Sequence, residues 1–227
     1  MTSPSYPLHR LGIAGLLLAL LGACGILDAT KEEQPAFYSL SVVRPGTPSS
    51  TPSPAPGSTA TPTLIVNPPH AAAGFDSHHI IYVREPHQLE YFAHSEWVDT
   101  PARMIAPSIV AALENTGAFQ AVVLTPSAAA GDLRLDVEII RLQHEFGSSP
   151  SQVRFTLRAY LVDNETRRVL AWREFDETMA AAQASPYGGV MAANGAVQKI
   201  MERLASFCVE LARGWISDTN RLPVAGR

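Results

Sequence analysis

The chain has 227 residues, of which 46% are hydrophobic and 17% charged, and its formal net charge at pH 7 is -4. This balance provides no basic field for a nucleic acid, so we exclude a nucleic-acid-binding protein. The length beyond the N-terminal region is enough for one ordinary domain with a hydrophobic core.

The N-terminal region has the pattern of a secretory signal peptide. Arg10 is the only charged side chain before an uncharged apolar run that starts at Leu11. A run of about a dozen apolar residues is too short to cross a hydrocarbon core of roughly 30 Å as a helix. The run ends at Leu21-Gly22-Ala23-Cys24, which resembles the lipobox of bacterial lipoproteins. The alternatives are an ordinary signal peptide that contains Cys24, or a buried apolar helix.

The resemblance implies that residues 1–23 are removed and that Cys24 is the lipid attachment site. Acyl chains on Cys24 would hold the protein at a membrane without a spanning helix. In lipoproteins an Asp directly after the cysteine favours the inner membrane, and Gly25 occupies that position here. We therefore expect the periplasmic face of the outer membrane rather than the inner membrane. The other cysteine, Cys208, is then left without an intrachain partner, and its helical surroundings predict a buried, inert thiol.

Composition divides the remainder of the chain. Residues 24–36 are predicted to be a lipidated tether that spans at most about 40 Å when extended. A first strand is predicted over 37–43, and residues 44–62 form a stretch rich in Pro, Ser and Thr that should be disordered. Because only one short strand precedes it, we interpret this stretch as an insertion in a domain of residues 37–217 and not as a linker. Residues 218–227 are predicted to be a flexible tail.

Later strands are predicted from apolar and β-branched runs. A strand is expected over 63–67, a hairpin pair over 79–84 and 88–93, and a short strand over 121–124. Alternation with a period of two predicts three long strands, over 133–139, 153–161 and 169–175, with a bulge at Ile139-Ile140. Short turns separate them, so they should form an antiparallel meander with one polar face.

Two helices are predicted from their starts. Thr100-Pro101 combines a capping hydroxyl with a first-turn proline, and the helix should end near Asn115, ahead of Gly117. Pro107 predicts a kink or a break near Ala106. Ser185-Pro186 opens the second helix, whose core-facing stripe is Val197, Met201, Leu204, Cys208, Leu211 and Trp215. The predicted fold is α+β: a mostly antiparallel sheet with two main helices packed on one face.

The sequence offers few candidates for a catalytic or metal site. The histidines considered are His78, His79, His87, His94 and His144. Adjacent His78 and His79 point to opposite faces of a strand, and no Cys/His pattern has zinc spacing. Carboxylates that alternate with arginines predict a solvated, ion-paired face, and they are Asp132, Asp136, Glu138 and Glu145. Gly188-Gly189 lacks a phosphate-loop lysine, and there is no Gly-x-Ser-x-Gly motif. We predict no catalytic, cofactor or metal site.

Several segments in order resemble the ABC-type transport auxiliary lipoproteins of the paraquat-inducible protein C type. The segments are Phe37-Tyr38-Ser39-Leu40, Ile80-Ile81-Tyr82-Val83-Arg84, residues 96–104 with Trp97 just ahead of the first helix, and Ala192-Ala193-Asn194. The long insertion at 44–62 departs from the family pattern.

This resemblance implies a non-enzymatic component of an envelope-spanning system that moves lipids or other hydrophobic compounds between inner and outer membranes. The implied partners are a mammalian-cell-entry (MCE) domain protein and, through it, an ABC permease and an ATP-binding subunit. No cofactor is implied. The oligomeric state is left open, a homo-oligomer included.

Two other function classes are kept as alternatives. The domain could be a stand-alone lipid or lipoprotein carrier with an apolar cavity lined by Phe92, Trp97, Phe119, Phe155 and Trp172. It could also be a lipid-anchored hydrolase with an unrecognised site. A cavity of several hundred cubic ångströms would favour the carrier, an exposed apolar patch would favour docking, and a cleft with convergent polar groups would favour the enzyme.

Overall fold

The computed structural model of the chain describes residues 34–40 and 61–219. The strands are β1 Ala36–Tyr38, β2 Thr63–Val66, β3 His70–Ala71, β4 His79–Val83, β5 Glu90–Trp97, β6 Ala121–Leu124, β7 Leu133–Glu145, β8 Gln152–Asp163 and β9 Val169–Ala180. The helices are α1 Pro101–Glu114 and α2 Pro186–Thr219. The fold is α+β, as predicted.

The antiparallel meander β7–β8–β9 forms the longest part of the sheet. Leu133 pairs with Asp163 at one end of the β7–β8 ladder, and Glu145 pairs with Gln152 at the other. The register shifts between Ile139 and Arg141, which confirms the predicted bulge. Apolar side chains alternate onto the helix-covered face, and charged side chains alternate onto the other face. The meander and its polar face are therefore confirmed.

The second edge of β7 pairs with three short strands in succession, all of them parallel to it. Leu64 of β2 pairs with Leu133, His70 of β3 with Glu138, and Tyr82 of β4 with His144. Strand β2 also pairs in parallel with β6, and β1 with β5. These parallel ladders are short, so the sheet stays mostly antiparallel. The sequence does not predict them, because each joins segments that are distant along the chain.

The first half of the domain differs in detail from the prediction. The hairpin is confirmed, with His87 at a φ of 69° in its turn, but β5 extends to Trp97. The first strand is shorter than predicted: Ser39 and Leu40 lie outside β1, and positions 41–43 lie outside the described residues. Most of the predicted insertion, 44–60, is likewise outside them. At its end, Pro62 is buried and its carbonyl accepts a hydrogen bond from Gln120 N–H at 3.1 Å.

Helix α1 begins and ends where the sequence predicts, with different chemistry at its start. Pro101 occupies the first turn, but the Thr100 hydroxyl makes no capping hydrogen bond. Instead, the carboxylate of Asp99 accepts a hydrogen bond from Thr100 N–H at 2.8 Å. The sequence predicts a kink or a break near Ala106, and the helix runs continuously through Pro107, so of these two alternatives the break is wrong. After the C-cap, Gly117 adopts a φ of 62°, the left-handed conformation that favours glycine.

Helix α2 starts at Pro186, where Ser185 Oγ accepts a hydrogen bond from Gly188 N–H at 3.2 Å. Of the predicted stripe, Val197, Met201, Leu204 and Cys208 are buried, and the last two members are half-buried. At its edge, Glu177 of β9 pairs with Lys199 at 2.9 Å and with Arg203 at 3.4 Å. Both helices cover the same face of the sheet. Neither described helix is apolar enough over a sufficient length to cross a membrane.

Candidate functional site

A groove of about 940 Å³ runs between α1 and α2 on the outer side of the helix layer. We call it the interhelical groove: positions 104–116 form its α1 wall, positions 198–213 form its α2 wall, and Leu40 contributes at one end. Its volume falls within the range of about 300–1,000 Å³ that ligand pockets occupy.

The groove exists because the two helices face each other with small side chains. Helix α1 directs Ile105, Ile109 and Leu113 into the core, where all three are fully buried. Its adjacent stripe faces α2 and includes Ser108, Ala111 and Ala112, opposite Ala205 and Ser206 of α2. Methyl and hydroxymethyl groups are small, so they leave space between the two helices that larger side chains would occupy. The floor is therefore apolar and open to solvent.

The α2 rim of the groove is charged. Gln198, Glu202, Glu210 and Arg213 lie along it. The Glu202 carboxylate accepts a hydrogen bond from Gln198 Nε2 at 3.4 Å. Within residues 34–40 and 61–219, none of the ion pairs involves Glu202, Glu210 or Arg213. The α2 rim therefore carries two carboxylates and one guanidinium, none of them in an ion pair among the described residues.

A second, closed contact lies at the start of α2, and we call it the His144 junction: Trp97, His144, Gly189 and Ala193. His144 is 2% exposed, and its Nε2 lies 2.9 Å from Ser151 Oγ. Its Nδ1 is buried without a hydrogen-bond partner, and burial lowers the pKa of the imidazole. The void at this junction is about 10 Å³, which is too small for a substrate.

The other four histidines considered in the sequence do not join His144 in a common site. His78 Nδ1 is 3.3 Å from the Trp97 carbonyl oxygen, and His79 stacks on Tyr91 with ring centres 4.3 Å apart. His87 and His94 are exposed. In the described part of the chain, no group of three or more His, Cys, Asp or Glu side chains is placed to hold a metal ion.

Two of the four carboxylates considered, Asp136 and Glu138, pair with arginines as predicted. Arg134 lies 3.2 Å from Asp136, and Arg158 lies 3.8 Å from Glu138. The other two are held by amide groups: Asp132 accepts from Thr63 N–H at 2.7 Å, and Glu145 from Gln143 Nε2 at 2.8 Å. These contacts support an ion-paired sheet face and provide no pair of carboxylates poised for acid–base work.

The aromatic residues considered for a carrier cavity do not share one. Trp97 and Phe155 are buried, Phe92 and Phe119 are half-buried, and Trp172 is 60% exposed. None of the five lines the interhelical groove. The sequence reasoning therefore missed the groove. The signal that could have found it is the run of small residues at helical spacing on the exposed side of each helix.

The second cysteine behaves as predicted. Cys208 is fully buried among core residues, and burial raises the pKa of its thiol to about 12. The thiolate that reacts or binds metals is therefore not available at neutral pH. Cys24, the predicted lipid attachment site, lies outside the described residues, as do residues 1–23.

Comparison with known proteins identifies the family. Residues 38–205 match the model of the ABC-type transport auxiliary lipoprotein component. The chain belongs to this family. The match starts at Tyr38, the last residue of β1, and includes strands β2 to β9, the α1 wall of the groove and the α2 wall as far as Ala205. It confirms the resemblance found in the sequence.

Solved structures show the same fold. Protein XCC0632 from Xanthomonas campestris, of family DUF330, is 22% identical, with a TM-score of 0.67 over 79% of this chain and 97% of that one. A second crystal structure, of an uncharacterized protein, is 12% identical, with a TM-score of 0.60 over 78% of this chain and 99% of that one. At these identities the likeness shows the fold alone. No functionally curated protein matches the chain.

Proposed function

We propose that this transport auxiliary lipoprotein is a non-enzymatic, lipid-anchored component of an MCE/ABC-type system at the periplasmic face of the outer membrane. The system would move lipids or other hydrophobic compounds between the inner and outer membranes. The observation that carries the proposal is the interhelical groove, an apolar surface that residues 34–40 and 61–219 of this transport auxiliary family member leave uncovered. An MCE-domain protein would dock there, and through it an ABC permease and an ATP-binding subunit would be connected.

The geometry supports docking better than catalysis. The groove is open along its length, has an apolar floor and carries its charges at one rim, as protein interfaces with an apolar centre and a polar rim do. The buried His144–Ser151 contact lies at the His144 junction and not in the groove, and the void there is too small for a substrate. A catalytic dyad needs room for the reacting atoms beside the nucleophile.

Capture of the partner tests docking. An MCE-domain protein from the same genome, carrying an affinity tag, is used to capture the full chain from detergent extracts. Ser206→Trp places an indole in the groove at an exposed position and should reduce capture. Ser127→Trp makes the same change in an exposed loop away from the groove and should not. Equal capture of both variants would show that the partner docks elsewhere.

Lipidation of Cys24 is a separate part of the proposal. Cys24→Ser should leave the signal uncut at this position and release or mislocalise the protein, because serine offers no thiolate for acylation. The measurement is globomycin-sensitive processing together with labelling by an alkyne fatty acid. Label that persists on the serine variant would contradict the assignment of Cys24.

The groove volume also favours a second candidate function, a stand-alone carrier of lipid. In that case the chain purified in mild detergent should retain extractable phospholipid. Ser206→Trp should displace that lipid, and Ser127→Trp should not. Lipid content, measured by mass spectrometry of the extract, separates the carrier from the docking component.

A further inference from the structure

We infer that the interhelical groove receives one amphipathic α-helix of a partner protein, with basic side chains on the flank that faces α2. The inference rests on the proposed function, since it specifies the part of a docking partner that the groove accepts. Three properties of the groove support it: its length and direction, the chemistry of its floor and the charges of its rim.

The groove has the length of a few helical turns. Its α1 wall extends from Met104 to Thr116, two residues beyond the end of α1, and its α2 wall extends from Gln198 to Arg213. At 1.5 Å per residue the α2 wall spans about 22 Å. The lining residues on each helix recur every three or four positions, so the groove follows the two helix axes. An element laid in it would run alongside both helices, as a third helix does in a bundle.

The floor suits the apolar face of a helix. Ala111 and Ala205 allow close approach of another backbone, because they offer only methyl groups. Met104 adds a long, unbranched side chain that adjusts to the shape of what lies above it. Helix-in-groove recognition uses such a surface, read by apolar residues at three- and four-residue spacing on the bound helix.

The rim decides between a helix and a phospholipid. Glu202 and Glu210 lie eight positions apart, which is about 12 Å along α2. The basic residues nearest to Glu202, Lys199 and Arg203, are held by Glu177 on β9. A lipid phosphate at this rim would meet two carboxylates without an ion-pair partner and a single arginine, whereas two lysines on a helix would match both carboxylates. Charge complementarity therefore favours a basic helix.

Charge exchange with a model peptide tests the inference. The probe is a stapled helical peptide of about 15 residues, which spans about 22 Å, with a leucine face and two lysines spaced as Glu202 and Glu210 are. A matched peptide carries glutamates in place of the lysines. The full chain, in one non-ionic detergent throughout, should bind the lysine peptide and bind the glutamate peptide at least about tenfold more weakly.

Protein variants with reversed rim charges provide the complementary test. Glu202→Lys/Glu210→Lys should lose about tenfold in affinity for the lysine peptide and gain affinity for the glutamate peptide. Glu85→Lys/Glu165→Lys alters the net charge equally at exposed positions outside the groove and should behave like wild type. Ser206→Trp should weaken binding of the lysine peptide while leaving the melting temperature unchanged. Fluorescence anisotropy of a labelled peptide measures each affinity.

Two results would overturn the inference. One is binding that ignores the peptide charge or the Glu202/Glu210 reversal. The other is phospholipid that is bound in near-stoichiometric amount and displaced by Ser206→Trp, which would assign the groove to a lipid. Because the peptide assay needs no MCE protein, failure to capture that protein would count against the proposed function while leaving the peptide result intact.

Discussion

Helix α2 packs differently at its two contacts. At the His144 junction it lies so close to the sheet that a void of only about 10 Å³ remains, whereas beside α1 it leaves a groove of about 940 Å³. Both contacts use small residues of α2: Gly189 and Ala193 at the junction, Ala205 and Ser206 at the groove.

The opposite wall makes the difference. At the junction the small residues of α2 meet Trp97 and the His144 ring, so large side chains fill the space that the small ones leave. At the groove they meet Ser108 and Ala112, and nothing in the described residues fills the space. Size complementarity across the contact, not the composition of one helix, determines whether it is a core or a binding surface.

The largest effect on stability should come from removing the large Trp97 side chain from the His144 junction. Trp97 is 3% exposed, and Trp97→Ala should cost about 3–5 kcal/mol of unfolding free energy. The sequence places Trp97 at the entry to α1, and the structure shows that it also packs against the start of α2. Thermal and denaturant unfolding measure the loss.

Trp172→Ala, at a residue 60% exposed, is the matched control and should change stability little. If Trp97→Ala instead melts like wild type yet fails to bind the MCE partner, the residue belongs to the interface.

Adding a side chain at Gly189 in the His144 junction should have the next largest effect on stability. A Cβ on Gly189 would lie 2.6 Å from His144 Nδ1, and overpacking of this kind costs about 1–3 kcal/mol. That cost should exceed the gain of about 1 kcal/mol in helix propensity, so Gly189→Ala should be destabilising. Gly214 lies in the same helix with no atom within 4 Å of an added Cβ, so Gly214→Ala should be stabilising. If urea unfolding shows both variants gaining stability, the junction is looser than described.

Protonation of His144 should loosen the closed contact more mildly. Burial lowers its pKa in the folded chain below the value of about 6.5 expected when unfolded. The unfolded chain therefore takes up the proton first as the pH falls. This contribution to stability is complete above the unfolded pKa and is lost as the pH falls through the folded pKa.

The measurement is the unfolding free energy from urea titrations between pH 8 and pH values below about 6.5. In His144→Gln the decline with falling pH should be smaller than in wild type. His94→Gln, at an exposed histidine, should keep the wild-type decline. A decline that is the same in all three proteins would show that another group governs this pH range.

The smallest effect on stability should come from placing large side chains in the interhelical groove. Ser206→Trp and Ala112→Trp add volume where the groove is empty, so each should change the unfolding free energy by no more than about 0.5 kcal/mol. Differential scanning calorimetry compares them with Gly189→Ala. A loss as large as that of the glycine variant would mean that the helices already touch at these positions and that the groove is not a free surface.

Local patterns in the sequence predict much of this fold. The alternation from Leu133 to Ile139 reveals a strand with one buried face because side chains on a strand alternate between its faces. Pro101 and Pro186 mark two helix starts, since a proline at the first helical position sacrifices no hydrogen bond. The stripe from Val197 to Cys208 identifies the buried side of α2, because helical periodicity places those residues on one face.

Other features fail to appear in such patterns. Pro107 does not break α1, because packing of Ile105 and Ile109 in the core keeps the helix continuous around it. The length of β1 depends on its partner β5, which lies about sixty positions later in the chain. Neither property is contained in the residues nearest to the one concerned.

The sequence by itself determined the α+β class, the order of the meander and helices, and the family, because these depend on local periodicity and on residues in a fixed order. It also supports the prediction of a lipid at Cys24. Only the tertiary structure decided the parallel pairings along the second edge of β7, the His144 junction and the interhelical groove. Each of these depends on which side chains meet across a contact between distant segments, and the space between two helices is a property of neither helix alone.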